Sequence, residues 1–197
     1  MAMPLNLEDP VAVLLRVTDA LKARGIEHAT YGALALAAYG QPRETRDADL
    51  AVAGLEPKVA LQALRDAGLN AHLAFERTRF GGLLITRVTL LPDGGATGLN
   101  TADLVEPRSS RFARGMLDRS LSGVLRGVSV QLVAPEDYVV LKVLSTRDRD
   151  LEDARSVLTS LPELDRAALQ AEIDLLALEV PDHDVVKRYA KVVNGSD

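Results

Sequence analysis

The residues whose types and spacing promise chemistry lie in YGALALAAYGQPRETRDADLAV, from Tyr31 to Val52. Asp47 and Asp49 stand two apart at the head of an apolar run, Leu50 to Val52. On a β-strand, residues i and i+2 share a face and lie roughly 7 Å apart along the backbone. Two carboxylates held side by side repel, and each raises the pKa of the other. A divalent cation removes that conflict, and Mg²⁺ prefers oxygen ligands of this kind. The alternative is a strand-end cap that holds no metal. Spacing alone does not separate the two, because Asp148/Asp150 and Asp182/Asp184 repeat it. The setting does: the first pair adjoins an apolar strand, where an unused charge is expensive.

Other residues join this pair as candidates. Gly32-Ala33 opens a small-residue segment, GALALAAY. A helix start there would offer free backbone N–H groups and a positive dipole end to a triphosphate. Asp103, in LNTADLV, is a lone strand acid unless its strand lies beside that of Asp47 and Asp49. In that case three carboxylates would hold two Mg²⁺ roughly 3.5–4 Å apart, the layout of phosphoryl and nucleotidyl transfer. Arg43, Arg46 and Lys142 are candidate phosphate contacts, Lys as a point charge and Arg as a bidentate fork. For Arg46, salt bridging to the same acids is the preferred reading. Asp150 and Asp153 fall on one helical face by i,i+3 spacing, within RDRDLEDAR, which also reads as a solvated charged helix. The three histidines are scattered, and no serine has a base nearby in sequence.

These residues need elements to position them. Asp9-Pro10 is an N-cap with proline at the first helical position, and Gly25 ends that helix. A short β segment, Ile26 to Tyr31, delivers the chain to a buried helix over 32–39. Leu50 to Val52 continues the acidic pair as a strand, and Pro57 starts an amphipathic helix closed by Gly68. Leu83 to Leu91 reads as a strand, Pro92-Asp93-Gly94-Gly95 as a turn, and Leu99 to Val105 as another strand. Residues 107–119 read as loop or short helix. Ser120 to Val133 suits a hairpin around Arg126-Gly127, or one strand and an approach to it. Helices follow from Pro135, around 150–161, around 165–178 and after Pro181. Strands first and helices last predict an α+β fold, with an α/β core over 1–133 and a C-terminal helical region over 134–197 packed on it.

Composition bounds the function. The chain has 197 residues, 47% of them apolar and 26% charged, which suits one ordinary domain. It contains no cysteine, so disulfides, zinc thiolates and a cysteine nucleophile are excluded. MAMPLNLEDP has acids and no basic n-region, and no apolar run approaches a membrane span, so a cytoplasmic location is expected. A net charge of −5 argues against a general nucleic-acid coat. The charge is uneven, however. Five arginines lie between Arg108 and Arg126, and acids dominate from Glu163 to Asp184. The basic segment is a candidate face for a phosphate-rich partner, or simply an ordinary surface.

Taken together, the stretch from Tyr31 to Val52 resembles the signature of the minimal nucleotidyltransferases, with a polymerase-β-like fold, and looks closest to the AbiEii-type toxins of toxin–antitoxin systems. The signature is a Gly-Gly or Gly-Ser turn, a short helix and Arg-x-Thr-x-Asp-x-Asp on a strand. It maps to Gly32-Ala33, Arg43, Thr45, Asp47 and Asp49. APEDYVVLKVLSTRDRDLEDARSVL is similar to the downstream segment, and the likeness covers roughly residues 25 to 160. It implies a small mixed sheet with flanking helices, and transfer of a nucleoside monophosphate from an NTP to an RNA, protein or small-molecule hydroxyl. It implies Mg²⁺, or Mn²⁺, held by Asp47, Asp49 and Asp103, with Asp103 drawing the proton from the attacking hydroxyl. Gly32, Ala33, Arg43, Thr45, Lys142 and Asp150 would form the nucleotide side, and an antitoxin is the implied partner. Ala33 departs from the family's usual Ser or Gly and removes a hydroxyl. That departure keeps open a catalytically inactive binding module, and the same carboxylates would also serve a two-metal nuclease.

Overall fold

In the computed structural model, which describes residues 5–92 and 98–195, the chain begins with a helix whose ends are set by its sequence. Asp9 caps α1 (Pro10–Ala23) by accepting from the amides of Val11 and Ala12, and Gly25 turns the chain at φ +67°. There follow β1 (His28–Thr30), α2 (Gly32–Tyr39), β2 (Ala48–Val52) and α3 (Pro57–Asp66). Next come β3 (Asn70–Phe80), β4 (Leu83–Leu91), β5 (Asn100–Pro107) and α4 (Ser110–Asp118). The hairpin of β6 (Leu121–Leu125) and β7 (Val128–Leu132) turns through Arg126 and Gly127, both at positive φ, as a tight two-residue loop demands. Four helices end the chain: α5 (Pro135–Leu144), α6 (Asp148–Ser160), α7 (Arg166–Glu179) and α8 (Val185–Asn194). The architecture is α+β, as expected.

All seven strands form one mixed sheet in the order β3-β4-β5-β2-β1-β7-β6. The strand carrying Asp49 is therefore central. β2 runs parallel to β5 and antiparallel to β1, and β1 runs parallel to β7. Alternation then sorts the side chains of β2 and β5 by face. Ala48, Leu50, Val52, Ala102 and Leu104 pack with α1 and α3 on one face. Ala51 and Val105 pack on the other face, with α2, α4 and the C-terminal helices. Asp49 and Asp103 belong to this second face by period two.

One segment differs from its sequence reading, and one open reading is resolved. β3, an edge strand of 11 residues, was not legible, because NAHLAFERTRF is mostly exposed and its register slips between Leu73 and Phe75 and between Phe75 and Thr78. Such bulges break the alternation that marks a strand. Residues 107–119, expected as loop or short helix, contain α4, capped by Ser109 accepting from the amide of Phe112 at 3.0 Å. Most of the expected turn at 92–95, namely Asp93, Gly94 and Gly95, lies outside the described residues. No helix among the described residues is long and apolar enough to cross a membrane.

One apolar cluster crosses the expected boundary at 133. It joins Ala29, Tyr31, Leu36, Phe112 and Met116 to Tyr138, Leu141, Val157, Ile173 and Tyr189. Exposing a large apolar side chain costs about 1.5–3 kcal/mol, so losing several approaches the whole stability of a domain, about 5–15 kcal/mol. A chain ended after Val133 should therefore show no cooperative thermal transition by circular dichroism, whereas the full chain should show one.

Candidate active site

Asp49 and Asp103 are direct partners in the parallel pairing of β2 with β5, so their side chains stand next to each other on one face. Asp47 precedes β2, and its Oδ1 accepts from the Thr101 hydroxyl at 2.8 Å. Thr45 shapes the approach, its hydroxyl exchanging hydrogen bonds with the backbone O and N of Asp47, each at 3.3 Å. The three acids line one open cleft of about 630 Å³, opposite Arg43, Arg46, Arg87, Arg147 and Arg149. Carboxylates on the floor and guanidinium groups on the walls are what a metal–polyphosphate pair requires.

Asp49 carries the electrostatic tension of the site. Burial, and then the neighbouring charge of Asp103, push its pKa up to about 6, against the pull of Lys142 and Arg147. Its carboxylate accepts no hydrogen bond among the described residues. Asp103 is different: Arg87 grips both its oxygens, Nε to Oδ1 and Nη2 to Oδ2, each at 2.7 Å. Arg87 faces Asp103 across the β4–β5 pairing and lies 5.5 Å from the Phe75 ring centroid. Among the described residues, no three His, Asp or Glu side chains are arranged as a ready metal site. Of the three carboxylates expected to form one centre, Asp47 and Asp49 meet no cation's hydrogen bond among the described residues, whereas Asp103 is held by Arg87. The donor set fits Mg²⁺ or Mn²⁺: hard oxygen ligands, one of them a strained and unpartnered carboxylate.

Gly32 stands against this carboxylate. Its φ is +65°, and a Cβ there would fall within the Asp49 carboxylate. Any side chain is therefore doubly excluded. The Tyr31 amide donates to the Asp49 backbone oxygen at 3.0 Å, and the Tyr138 hydroxyl donates to the Gly32 oxygen at 3.1 Å. Ala33 is buried, and neither Gly32 nor Ala33 lines the cleft. The start of α2 abuts Asp49, and is not the open phosphate cradle expected of Gly32 and Ala33.

Lys142 also departs from expectation. It is 1% exposed, with Nζ 2.8 Å from Asp150 and 2.9 Å from Asp153, and it lies over the rings of Tyr31 and Tyr138. It cannot reach a triphosphate. Asp150 is saturated as well, accepting from Lys142, from the Ser145 hydroxyl and from Arg147 at 2.8 Å. Burial would raise the Asp150 pKa, but these partners hold it below the usual range. Asp153 accepts two bonds from Arg43, at 3.1 and 3.0 Å. Lys142, Arg43 and Asp150, expected on the nucleotide side, belong to one ionic chain, Arg43–Asp153–Lys142–Asp150–Arg147, of which Arg43 and Asp150 line the cleft and Lys142 does not. Its centre is buried and its two ends reach the cleft.

Arg87, Arg147 and Arg149 are cleft residues that the sequence reading missed. A lone arginine within LLITRVTLL was the available signal for Arg87. Arg46, expected to be paired with the acids, makes no ion pair among the described residues and lines the cleft. Four of the five arginines in the basic segment are paired with the protein's own acids, and Arg114 is exposed. Arg108 pairs with Asp182, Arg111 with Glu172 and Glu179, Arg119 with Asp137, and Arg126 with Asp9.

Residues 100–191 match the family model described as nucleotidyl transferase of unknown function (DUF2204). That range includes Asp103, Lys142 and Asp150 but not Asp47 or Asp49. An antigenic nucleotidyltransferase-like protein from Paracoccidioides brasiliensis is similar in structure at 20% identity and TM-score 0.53, over 91% of this chain and 92% of that one. The antibiotic-resistance factor ANT(2'')-Ia in solution is similar at 16% identity and TM-score 0.50, over 88% and 97%. No curated protein matches the sequence. The chain has the fold of nucleotidyltransferase-like proteins.

Two measurements probe this site. Lys142→Met should destabilise the protein by about 3–5 kcal/mol, since it strands two buried carboxylates. The double variant with Asp150→Asn should lose much less than the sum of the singles in urea unfolding. For Asp49, the folded pKa near 6 exceeds the ordinary value of 3.8. The folded state thus binds more protons between those values, so Asp49 lowers stability as pH rises from about 4 to 6, and the loss is complete above that window. Asp49→Asn should gain about 1–3 kcal/mol at pH 7–8 and show a flatter stability profile from pH 4 to 6.

Proposed function

We propose that the chain is a metal-dependent nucleotidyltransferase moving a nucleoside monophosphate from an NTP to an acceptor hydroxyl. One observation carries this reading: Asp49 and Asp103 are paired on adjacent parallel strands, in a cleft whose walls carry arginines. The family model over residues 100–191 supports it. Asp47 and Asp49 are the residues that would hold Mg²⁺ or Mn²⁺, with Asp103 joining them. When bound, the two ions supply charge neutralisation at the transferring phosphate.

The remaining work falls to the chain's own side chains. Arg147, Arg149 and Arg46 bind triphosphate oxygens, as planar guanidinium forks suit. Arg43 and Arg147 are oriented from behind by Asp153 and Asp150. Arriving phosphate competes with Asp103 for Arg87, and the freed Asp103 carboxylate takes the proton of the acceptor hydroxyl. That oxygen bonds to the α-phosphorus, the bond to the bridging oxygen of the β-phosphate breaks, and pyrophosphate leaves.

The Arg87 grip on Asp103 favours a second reading, an inactive binding module in which the clamp is permanent. Both separate in one experiment, incubation of the protein and Mg²⁺ with each α-labelled NTP and RNA, protein or small-molecule acceptors. Transfer of label is expected, reduced on the order of 10³-fold in Asp49→Asn. Absence of transfer together with absence of Mg-NTP binding by calorimetry favours the module, and release of nucleotides from labelled RNA favours a nuclease. A toxin role with an antitoxin partner is the finer form of the reading, supported by the Arg-x-Thr-x-Asp-x-Asp likeness alone.

A further inference from the structure

Arg188, on α8, is a largely buried cation committed to backbone oxygens. Its side chain is 14% exposed, and the acid it approaches, Asp148, lies 3.8 Å away and is open to solvent. Its Nε donates to the Val143 oxygen at 3.1 Å and its Nη2 to the Arg147 oxygen at 2.9 Å. Burying a charge is costly, and burial pulls the Arg188 pKa down. What the side chain holds is the turn from α5 into α6. In an unbroken helix the Val143 oxygen would accept from the Arg147 amide. That amide instead donates to the Ser145 hydroxyl at 3.2 Å, and Arg188 takes its place at Val143. The turn, Leu144-Ser145-Thr146-Arg147, has neither glycine nor proline to restrict its path. Its path is set from outside: besides Arg188, His183 Nε2 lies 3.2 Å from the Val143 oxygen, and the Gly82 amide donates to the Leu144 oxygen at 2.8 Å.

The turn ends in a side chain that faces the cleft. Arg147 bonds Asp150 through Nε and Nη2, at 2.8 and 3.2 Å, while its Nη1 makes no hydrogen bond among the described residues. The Arg147 side chain is 66% exposed and lines the cleft. A planar guanidinium presents its donors in fixed directions, so the position of its backbone decides where the free edge points. We propose that Arg188 is a positioning residue for nucleotide binding: from α8 it fixes the α5–α6 turn and so aims the free edge of Arg147 at the triphosphate. This role rests on the nucleotidyltransferase reading, which places triphosphate oxygens on Arg147. α8 is itself anchored, because Val185, Tyr189 and Val192 are buried. Loss of the Arg188 donors leaves His183 at the Val143 oxygen and the Arg147 oxygen within reach of water, since that contact is exposed. The fold therefore outlasts the contact, and the loss falls on the aim of Arg147.

The test measures binding of each of the four NTPs with Mg²⁺ by calorimetry, and label transfer in parallel, using the full chain. Arg188→Met and Arg188→Lys are compared with the wild type, each with and without Arg147→Ala. Arg188→Met keeps the reach of the side chain and loses its donors, so it should raise the Kd and KM for NTP about three- to tenfold, with a much smaller fall in kcat. Arg188→Lys keeps a donor for one of the two carbonyls and should recover part of the loss. In the Arg147→Ala background, Arg188→Met should add less than about twofold, because the side chain it aims is gone. An unchanged Kd in Arg188→Met, or an equal effect in both backgrounds, overturns the role while leaving the transferase reading standing. If Arg188→Met loses its cooperative thermal transition, Arg188→Lys decides: weaker NTP binding that depends on Arg147 supports the role, and wild-type binding overturns it. Arg147-dependent weakening of NTP binding, with no label transferred to any acceptor, keeps the role and removes the activity. No binding of any Mg-NTP by the wild type removes both.

Discussion

Lys142 holds a positive charge in one of the least accessible places in the molecule, and much of the site is arranged to keep it there. An isolated ammonium group in such surroundings would carry a large uncompensated desolvation cost. Asp150 and Asp153 prevent this, one helical turn apart on α6, and the faces of Tyr31 and Tyr138 cover what remains. The two carboxylates then reach outward to Arg147 and Arg43. A structural requirement of the core thereby becomes a way of aiming guanidinium groups into the cleft. It also ties the C-terminal helices to the sheet, since the chain of charges starts at Arg43, just before β2, and passes through α5 and α6.

The opposite tension sits on Asp49. Its neighbours are acids, its carboxylate lacks a protein donor, and Gly32 approaches so closely that no other residue fits. A protein optimised for stability alone would not place a carboxylate there. Strain of this kind is retained where a ligand relieves it. Asp103 shows the relieved form of the same problem, with Arg87 supplying the positive charge from the neighbouring strand. In the proposed reaction, an exchange of Arg87 between Asp103 and incoming phosphate would link nucleotide arrival to the freeing of Asp103.

Several surface charges are matched in the same way. The arginines of 108–126 and the acids of 163–184 look like two separate faces in the sequence. In space, Arg108 and Arg111 meet Asp182, Glu172 and Glu179, so much of the asymmetry cancels. Arg46, Arg87, Arg147 and Arg149 line the cleft together with its acids.

The sequence by itself determined the elements whose signals are local. Asp9-Pro10 and Pro135 start helices, Arg126-Gly127 turns a hairpin, and period two sets Asp49 on one face with Ala51. It also singled out Asp47 and Asp49, at the head of an apolar run, and joined Asp103 to them on condition that its strand lay beside theirs, which the pairing of β2 with β5 decided. Only the tertiary structure decided what each charge is used for. Whether Lys142 reaches a ligand or two aspartates depends on where α6 packs. Whether Asp103 is free depends on Arg87, 16 residues away in sequence and opposite it in register. Periodicity assigns a residue to a face, but the energy of a charge is fixed by burial and by partners distant in the chain, and those exist only once the sheet and helices have come together.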